Sequence, residues 1–156
     1  MLTEKQNLDN LTILGNKKAP QKKLETFPNH SPHRYYLITL KTDEFTCICP
    51  KTGQPDFAKI RIYYVPDKKI VESKSLKLYL WSYRNEGVFH EHLINQILDD
   101  LVNALNPSWC LVKGIFNVRG GIGIDVIAEY VKSKKARNQY KDFIKSILIL
   151  DYPTRV

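Results

Sequence analysis

The chain has 156 residues, of which 43% are hydrophobic and 26% are charged. This length fits one ordinary domain with a substantial apolar core, and it is too short for two independent domains. No apolar run approaches the roughly 20 residues that a membrane-spanning helix requires, so we expect no membrane partner. The formal net charge of +8 predicts attraction for anions, which nucleic acid, an acidic membrane or a phosphorylated cofactor would each satisfy.

The two ends of the chain differ from its middle. Residues 1–33 mix lysine, proline and asparagine without sustained periodicity, which predicts an extended N-terminal arm. They also lack the long apolar core and small-residue cleavage site of a secretory signal, so we expect a cytoplasmic protein. We assign residues 34–156 to a single domain. Its apolar stretch at residues 144–150 is compatible with a final helix or a final strand.

Two β-rich runs follow the arm and predict an antiparallel pair of strands. Residues 35–49 are rich in β-branched and aromatic side chains, and residues 57–66 alternate apolar with polar ones. The connection at residues 49–56 contains a glycine and two prolines, which is typical of a loop. Cys49 and Asp56 are therefore expected to flank one loop.

Two helices and two further strands complete the predicted fold. Apolar residues recur at helical spacing over residues 73–84 and 89–105. Asn106 and Pro107 end the second helix, and two β-rich runs joined across residues 120–121 follow. This order, ββααββ, predicts an α+β fold in which a four-stranded antiparallel sheet carries two helices on one face. Because such a sheet has open edges, we expect several copies to pair into a symmetric ring.

Cys49 is a candidate nucleophile, because it lies at a strand-to-loop transition two residues before Lys51. A nearby cation and open backbone amides lower the pKa of a thiol. The alternative is a small buried apolar residue, which is the commoner fate of a free cysteine and suits Cys47 and Cys110 better. Asp56 is a candidate proton donor across the loop, and its alternative is an ordinary turn aspartate.

The two helix starts are candidate ligand sites. Residues 71–77 open the first helix with serines that can cap it and with Lys74 and Lys77, so this end can hold a phosphate. The alternative is a plain helix start with solvated lysines. At the second helix, Glu91 can accept paired hydrogen bonds from a guanine-like base, with Phe89 nearby to stack. The alternative there is a first-turn glutamate favoured by the helix dipole.

Arg119 lies between the last two strands, where it can engage a phosphate, and its alternative is a solvated arginine in a hairpin. The histidines do not predict a metal site. His90 and His92 are two residues apart on a helix and so point in different directions, while His30 and His33 lack a cysteine or carboxylate partner at ligand spacing. We expect no resident metal.

Six short strings, taken in their order and spacing, resemble the 7-cyano-7-deazaguanine reductases of queuosine biosynthesis, a family of the tunnelling-fold superfamily. The strings are ETFPN (25–29), FTCICP (45–50), TGQPDF (52–57), ESKSLK (72–77), FHE (89–91) and RGGI (119–122). The resemblance runs from about residue 25 to residue 133, and ESKSLK is its most diagnostic string. The chain has the length of the single-module form.

The resemblance implies a tunnelling-fold catalytic domain whose copies close a β-barrel ring of two stacked pentamers, with active sites at subunit interfaces. It implies reduction of 7-cyano-7-deazaguanine to its primary amine with two NADPH and no metal. Cys49 would attack the nitrile carbon to give a covalent thioimide, and Asp56 would donate the proton. The implied deazaguanine contacts are Val71, Glu72, Ser73, His90 and Glu91, to which we add Phe89. Lys74 and Lys77 would face NADPH, and Arg119 is our further candidate there.

Two alternatives use other chemistry. A tunnelling-fold relative that acts on a pterin or purine would need a cysteine and histidines that converge on zinc, which bound-metal analysis would detect. A small basic RNA-binding protein would use its positive surface and tyrosines for phosphate contacts and stacking, and its RNA binding would be sensitive to salt. We expect neither zinc nor stable binding of nucleic acid.

Overall fold

The computed structural model describes residues 19–136 and the separate residues 138, 141, 142, 145 and 146. Much of the predicted N-terminal arm and most of the apolar stretch at residues 144–150 lie outside this part of the chain. The elements in chain order are β1 (Thr26–Pro28), β2 (Ile38–Ile48), β3 (Pro55–Val65), β4 (Lys69–Val71), α1 (Ser73–Trp81), a 3₁₀ helix (Ser82–Asn85), α2 (His90–Leu105), β5 (Trp109–Arg119) and β6 (Ile122–Val131).

The central element of the fold is a four-stranded antiparallel sheet. Its strand order is β2-β3-β5-β6, so β2 and β6 form the two edges. The β5–β6 hairpin turns through Gly120 and Gly121, whose φ angles of 57° and 81° lie in the left-handed region that favours glycine. The predicted sheet, with the two helices inserted between its second and third strands, is confirmed.

A second, two-stranded sheet is not predicted by the sequence pattern. In it β1 pairs antiparallel with β4, with Thr26 opposite Val71 and Pro28 opposite Lys69. Strands of three residues are too short to show a periodic signal, which explains why the pattern does not indicate them. This pairing fixes the chain around residue 26 beside the start of α1.

Both helices pack on one face of the sheet and share a core with it. Alternate residues of β3 enter this core, which also takes apolar side chains from α1 and α2. Gly114 on β5 allows α2 to approach closely, since a Cβ atom there would lie 2.4 Å from Cδ1 of Ile94. The core residues of β3 are Ala58, Ile60, Ile62 and Tyr64, and those of α2 are Leu93, Ile94, Ile97, Leu98, Leu101 and Leu105.

α2 ends at Leu105, directly before Asn106 and Pro107, as the sequence predicts. Asn106 adopts the left-handed conformation with φ of 46°, and its N–H donates to the carbonyl oxygen of Val102 at 2.8 Å. Pro107 then prevents the helix from continuing. Within the described part of the chain, every helix is too short or too polar to span a membrane.

Candidate active site

Cys49 directly follows β2 and begins a tight turn that leads into β3. The N–H of Cys49 donates to the carbonyl oxygen of Gln54 at 2.8 Å. The carbonyl oxygen of Cys49 in turn accepts from the N–H of Gly53 at 2.9 Å. Gly53 has a φ of 71°, which glycine adopts without strain. The turn leaves Cys49 half-buried, beside Lys51 and Thr52 in the chain.

The three thiols differ sharply in acidity. The Thr52 hydroxyl and the N–H groups of Thr52 and Lys51, helped by Arg119, lower the pKa of Cys49 to about 7 against the opposing effect of burial. Burial raises the pKa of Cys47 to about 12, and it raises the pKa of Cys110 to about 12. At neutral pH a large fraction of Cys49 is therefore thiolate, while the two buried thiols stay protonated.

Asp56 is buried at the start of β3, with 3% of its surface exposed. Its Oδ1 accepts a hydrogen bond from Nη1 of Arg119 at 2.5 Å, and its Oδ2 lies 3.2 Å from Nε2 of His90. Nη2 of Arg119 donates to Oε1 of Gln54 at 2.6 Å. Arg119 also lowers the pKa of Cys49, so its guanidinium acts on both the predicted nucleophile and the predicted proton donor.

His90 is the first residue of α2 and is held on two sides. Its ring stacks on that of Phe116 from β5, with the centroids 3.8 Å apart and the planes at 11°, while Nε2 faces Asp56. Phe89 is 55% exposed, and Glu91 is exposed in the first helical turn. The start of α2 therefore presents an aromatic ring and a carboxylate to solvent beside the Cys49–Asp56 cluster.

A second group of predicted site residues lies at the start of α1, where Glu72 is the N-cap. Its Oε1 accepts from the N–H of Lys74 at 2.8 Å, and its Oε2 accepts from the N–H of Ser75 at 2.7 Å. The prediction that serines cap this helix is therefore wrong. The Ser75 hydroxyl instead donates to the Glu72 carbonyl oxygen at 2.8 Å and accepts from the N–H of Glu25 at 3.0 Å.

A groove of about 780 Å³ lies between β2 and α1. Ser73 and Lys77 of α1 line it, together with Arg84 and Lys41, and Glu44 is the acidic residue in its lining. This excess of positive charge suits an anionic ligand. The groove is thus lined by both Ser73, a predicted substrate contact, and Lys77, a predicted cofactor contact.

The structure brings four predicted site residues together: Cys49, Asp56, His90 and Arg119. Sequence patterns alone do not single out Thr52, Gln54 or Phe116. The first two lie in a loop that the pattern does predict, whereas Phe116 is one of several apolar residues on its strand. Among the described residues, no three His, Cys, Asp or Glu side chains are grouped closely enough to hold a metal ion.

Known proteins share this sequence and fold. The sequence model of the QueF-like protein family matches residues 55–135. A protein of Syntrophus aciditrophicus is 62% identical over 130 residues, which cover 83% of this chain and 93% of its own length. The chain belongs to the QueF-like family. That relative is named NADPH-dependent 7-cyano-7-deazaguanine reductase. A relative from Nitrosomonas eutropha has the same name and is 58% identical over 113 residues, which cover 72% of this chain and 81% of its own length.

The fold agrees with this QueF-like assignment. The crystal structure of the archaeosine synthase QueF-Like in its apo form matches with a TM-score of 0.57 and 26% identity. The match covers 62% of this chain and 94% of that one. The predicted tunnelling fold and the predicted family are thus confirmed.

Proposed function

We propose that this QueF-like protein is an NADPH-dependent oxidoreductase that reduces the nitrile of 7-cyano-7-deazaguanine to the primary amine of 7-aminomethyl-7-deazaguanine, in queuosine biosynthesis. Relatives that are 62% and 58% identical carry the name of this reductase. The observation that carries the proposal is Cys49, a half-exposed thiol whose pKa is lowered to about 7. A nitrile carbon requires a nucleophile that is both ionised and accessible, and Cys49 is both.

The thiolate of Cys49 adds to the nitrile carbon while the nitrogen takes up a proton, which gives a covalent thioimide. The C=N group of the thioimide is a better hydride acceptor than the nitrile, so the covalent step divides the barrier. NADPH supplies two hydrides per nitrile in all. Between the two reductions the C–S bond breaks, the thiolate of Cys49 leaves, and an imine remains to be reduced to the amine.

We assign the proton donated to nitrogen to Asp56. A carboxyl group has to carry a proton before it can donate one, and Oδ1 of Asp56 is occupied by the hydrogen bond from Arg119. His90, whose Nε2 lies 3.2 Å from Oδ2, is positioned to supply that proton. His90 and Asp56 then act as a proton relay beside Cys49.

The remaining predicted contacts divide between substrate and cofactor. Glu91 faces solvent, where it can accept paired hydrogen bonds from the base, and Phe89 can stack on the base. Oε2 of Glu72 keeps a second lone pair for a ligand donor, whereas Oε1 accepts from the Ser73 hydroxyl at 3.5 Å as well as from the N–H of Lys74. The other proposed substrate contacts are Val71, Ser73 and His90. For NADPH, the basic groove with Lys77 suits phosphate groups, and we retain Lys74 and Arg119 as further contacts.

We also propose the assembly and the location. The open edges of the sheet at β2 and β6 support a ring of copies, which we take to be two stacked pentamers with active sites between copies. The three free cysteines suit the reducing cytoplasm. The reaction needs no metal, because the thiolate and the proton relay supply the activation.

The test is NADPH oxidation by the purified protein with 7-cyano-7-deazaguanine, with the product identified by mass. We expect about two NADPH per nitrile, as thioimide reduction requires. Cys49→Ala should abolish turnover and retain the native circular dichroism, whereas Cys47→Ala, which replaces a buried thiol, should remain active. No oxidation by the wild-type protein, combined with bound zinc or salt-sensitive RNA binding, would favour one of the two alternatives.

A further inference from the structure

The strand end that precedes Cys49 is paired on both sides. On one side Ile48 belongs to the antiparallel β2–β3 ladder, and on the other it forms a parallel bridge with Gly87. The N–H of Ile48 donates to the carbonyl oxygen of Glu86 at 3.0 Å, and the carbonyl oxygen of Ile48 accepts from the N–H of Val88 at 3.1 Å. Backbone hydrogen bonds on both sides therefore fix the chain that leads into the predicted nucleophile.

Residues 86–88, which we call the bridge segment, lead directly into the second helix. They lie between the 3₁₀ helix and Phe89, the N-cap of α2. The next residue is His90, whose Nε2 lies 3.2 Å from Oδ2 of Asp56. The bridge thus joins the backbone before the predicted nucleophile to the backbone before the predicted substrate contacts at the start of α2.

The space beside Pro50 explains why the centre of the bridge is a glycine. Gly87 does not have a positive φ angle, so its backbone conformation would accept another residue. A Cβ atom there, however, would lie 3.1 Å from Cα and 3.4 Å from Cβ of Pro50, the residue that follows Cys49. Carbon atoms in contact prefer a separation of about 3.5–4.0 Å. Glycine therefore lets the bridge segment approach the Cys49 turn more closely than any other residue would.

We propose that Gly87 is a positioning residue, whose missing side chain lets the bridge segment pack against the Cys49 turn and so sets the spacing between the Cys49 sulfur and the start of α2. The role rests on the proposed function, in which the sulfur attacks the nitrile of a base that contacts Phe89 and His90. Such an attack requires the reacting atoms to be held about 3–3.5 Å apart. The bridge holds the two sides of the bound nitrile at a fixed separation, and Gly87 itself takes no part in bond making.

The contact between His90 and Asp56 does not replace the bridge. It also connects α2 to the chain around the turn, but it does so through two side chains that can rotate. The bridge connects backbone to backbone, and its position is limited by the distance between Gly87 and Pro50. A shift at Gly87 therefore moves the start of α2 relative to Cys49 even where the side-chain contact survives.

The experiment compares Gly87→Ala with Val102→Ala, the matched control. Val102 is a partly buried residue that packs on the same core, about 18 Å further along α2 than His90 at a rise of about 1.5 Å per residue. Shortening it weakens the core without touching the bridge. Three quantities are measured: hydrogen exchange of single amides by mass spectrometry, alkylation of Cys49 by iodoacetamide, and formation of the thioimide from 7-cyano-7-deazaguanine without NADPH, followed by intact mass.

We expect the amides of Ile48 and Val88 to exchange slowly in the wild type and faster in Gly87→Ala, because the added methyl group pushes the bridge away from Pro50. Thioimide formation should slow by about tenfold, since a misplacement of about 1 Å can cost about 10²-fold. Alkylation needs only an accessible thiolate, so its rate should stay within about twofold of the wild type. Val102→Ala should form the thioimide and react with iodoacetamide at the wild-type rates.

Thioimide formation at the wild-type rate by a folded Gly87→Ala protein would overturn the proposal. An equal loss of alkylation and thioimide formation would also overturn it, because the thiol itself would then have changed. If the variant does not fold, the wild type still decides, since fast exchange of either bridge amide would mean that the bridge does not hold in solution.

The exchange measurement also separates this proposal from the proposed function, because it needs neither nitrile nor NADPH. A wild-type protein that forms no thioimide would remove the reductase function. Selective acceleration of the Ile48 and Val88 amides in Gly87→Ala would then still support the positioning role of Gly87, and unchanged exchange would remove that role as well.

Discussion

The contact between Arg119 and Asp56 determines what the carboxyl group can do. Two donors, the guanidinium of Arg119 and Nε2 of His90, face a carboxyl group that is almost completely buried. These two contacts hold the carboxyl group in a fixed position. Placement of the carboxyl group is therefore one contribution of Asp56, and the proton transfer that we propose for it is a second.

Asp56→Asn separates these two contributions. The amide oxygen can still accept from Arg119, so the variant should fold and bind the nitrile substrate. It cannot carry the proton, so we expect kcat to fall by about 10²–10⁴, the usual value of a positioned acid. Substrate binding by calorimetry and steady-state NADPH oxidation measure the two effects.

The matched control for this substitution is Asp67→Asn, which breaks an ion pair with Lys132 elsewhere on the protein. It should leave turnover close to that of the wild type. Normal turnover by Asp56→Asn would remove Asp56 from the proton-transfer step.

The residues of the site differ in how well sequence predicts them. Cys49 and Asp56 flank a loop between two strong strand patterns, so local spacing alone brings them near each other. The hydrogen bond between Asp56 and Arg119 joins residues 63 positions apart, and no local pattern contains it.

At the scale of elements, the packing of α2 on the sheet depends on Gly114. A Cβ atom there would lie 2.4 Å from Cδ1 and 2.9 Å from Cγ1 of Ile94, within a core that has little room to adjust. We expect Gly114→Ala to lower the free energy of unfolding by about 1–3 kcal/mol, the usual cost of overpacking. Urea denaturation of the purified protein measures this change.

Gly123 on β6 provides the matched glycine for comparison. The nearest atom that a Cβ there would meet is Cγ2 of Val118 at 3.6 Å, which is ordinary van der Waals contact. Gly123→Ala should leave stability unchanged or raise it by about 0.5 kcal/mol, because alanine reduces the entropy of the unfolded chain. Equal unfolding midpoints for the two variants would contradict the role assigned to Gly114.

The long elements could be predicted and the short ones could not. The long elements β2, β3, β5, β6 and α2 each contain enough periodic apolar residues to reveal whether they are strands or helices. β1 and β4 exist because their backbones pair across more than 40 positions of sequence, which a local pattern does not encode. The N-cap of α1 could not be predicted either, because Glu72 is only one of several polar residues at the start of that helix.

At the scale of the whole molecule, the predicted site residues form two separate groups. Cys49, Asp56, His90 and Arg119 meet where β2, β3, β5 and α2 converge. The other group, which includes Glu72 and Lys77, lies at the start of α1. In a ring built by pairing β2 of one copy with β6 of the next, each interface repeats the same contact, so it can combine the first group of one copy with the second group of its neighbour.

Mixing two inactive variants tests this arrangement. One carries Cys49→Ala and keeps its α1 group, and the other carries Lys74→Ala and Lys77→Ala and keeps its Cys49 group. After joint unfolding and refolding at equal amounts, about a quarter of the interfaces should combine the two intact groups if the copies mix at random around the ring. We expect NADPH oxidation at about that fraction of the wild-type rate, together with a sedimentation mass that is a multiple of 18.2 kDa. Activity no higher than that of the separately refolded parents would mean that each site lies within one copy, because no mixture can then restore an intact site.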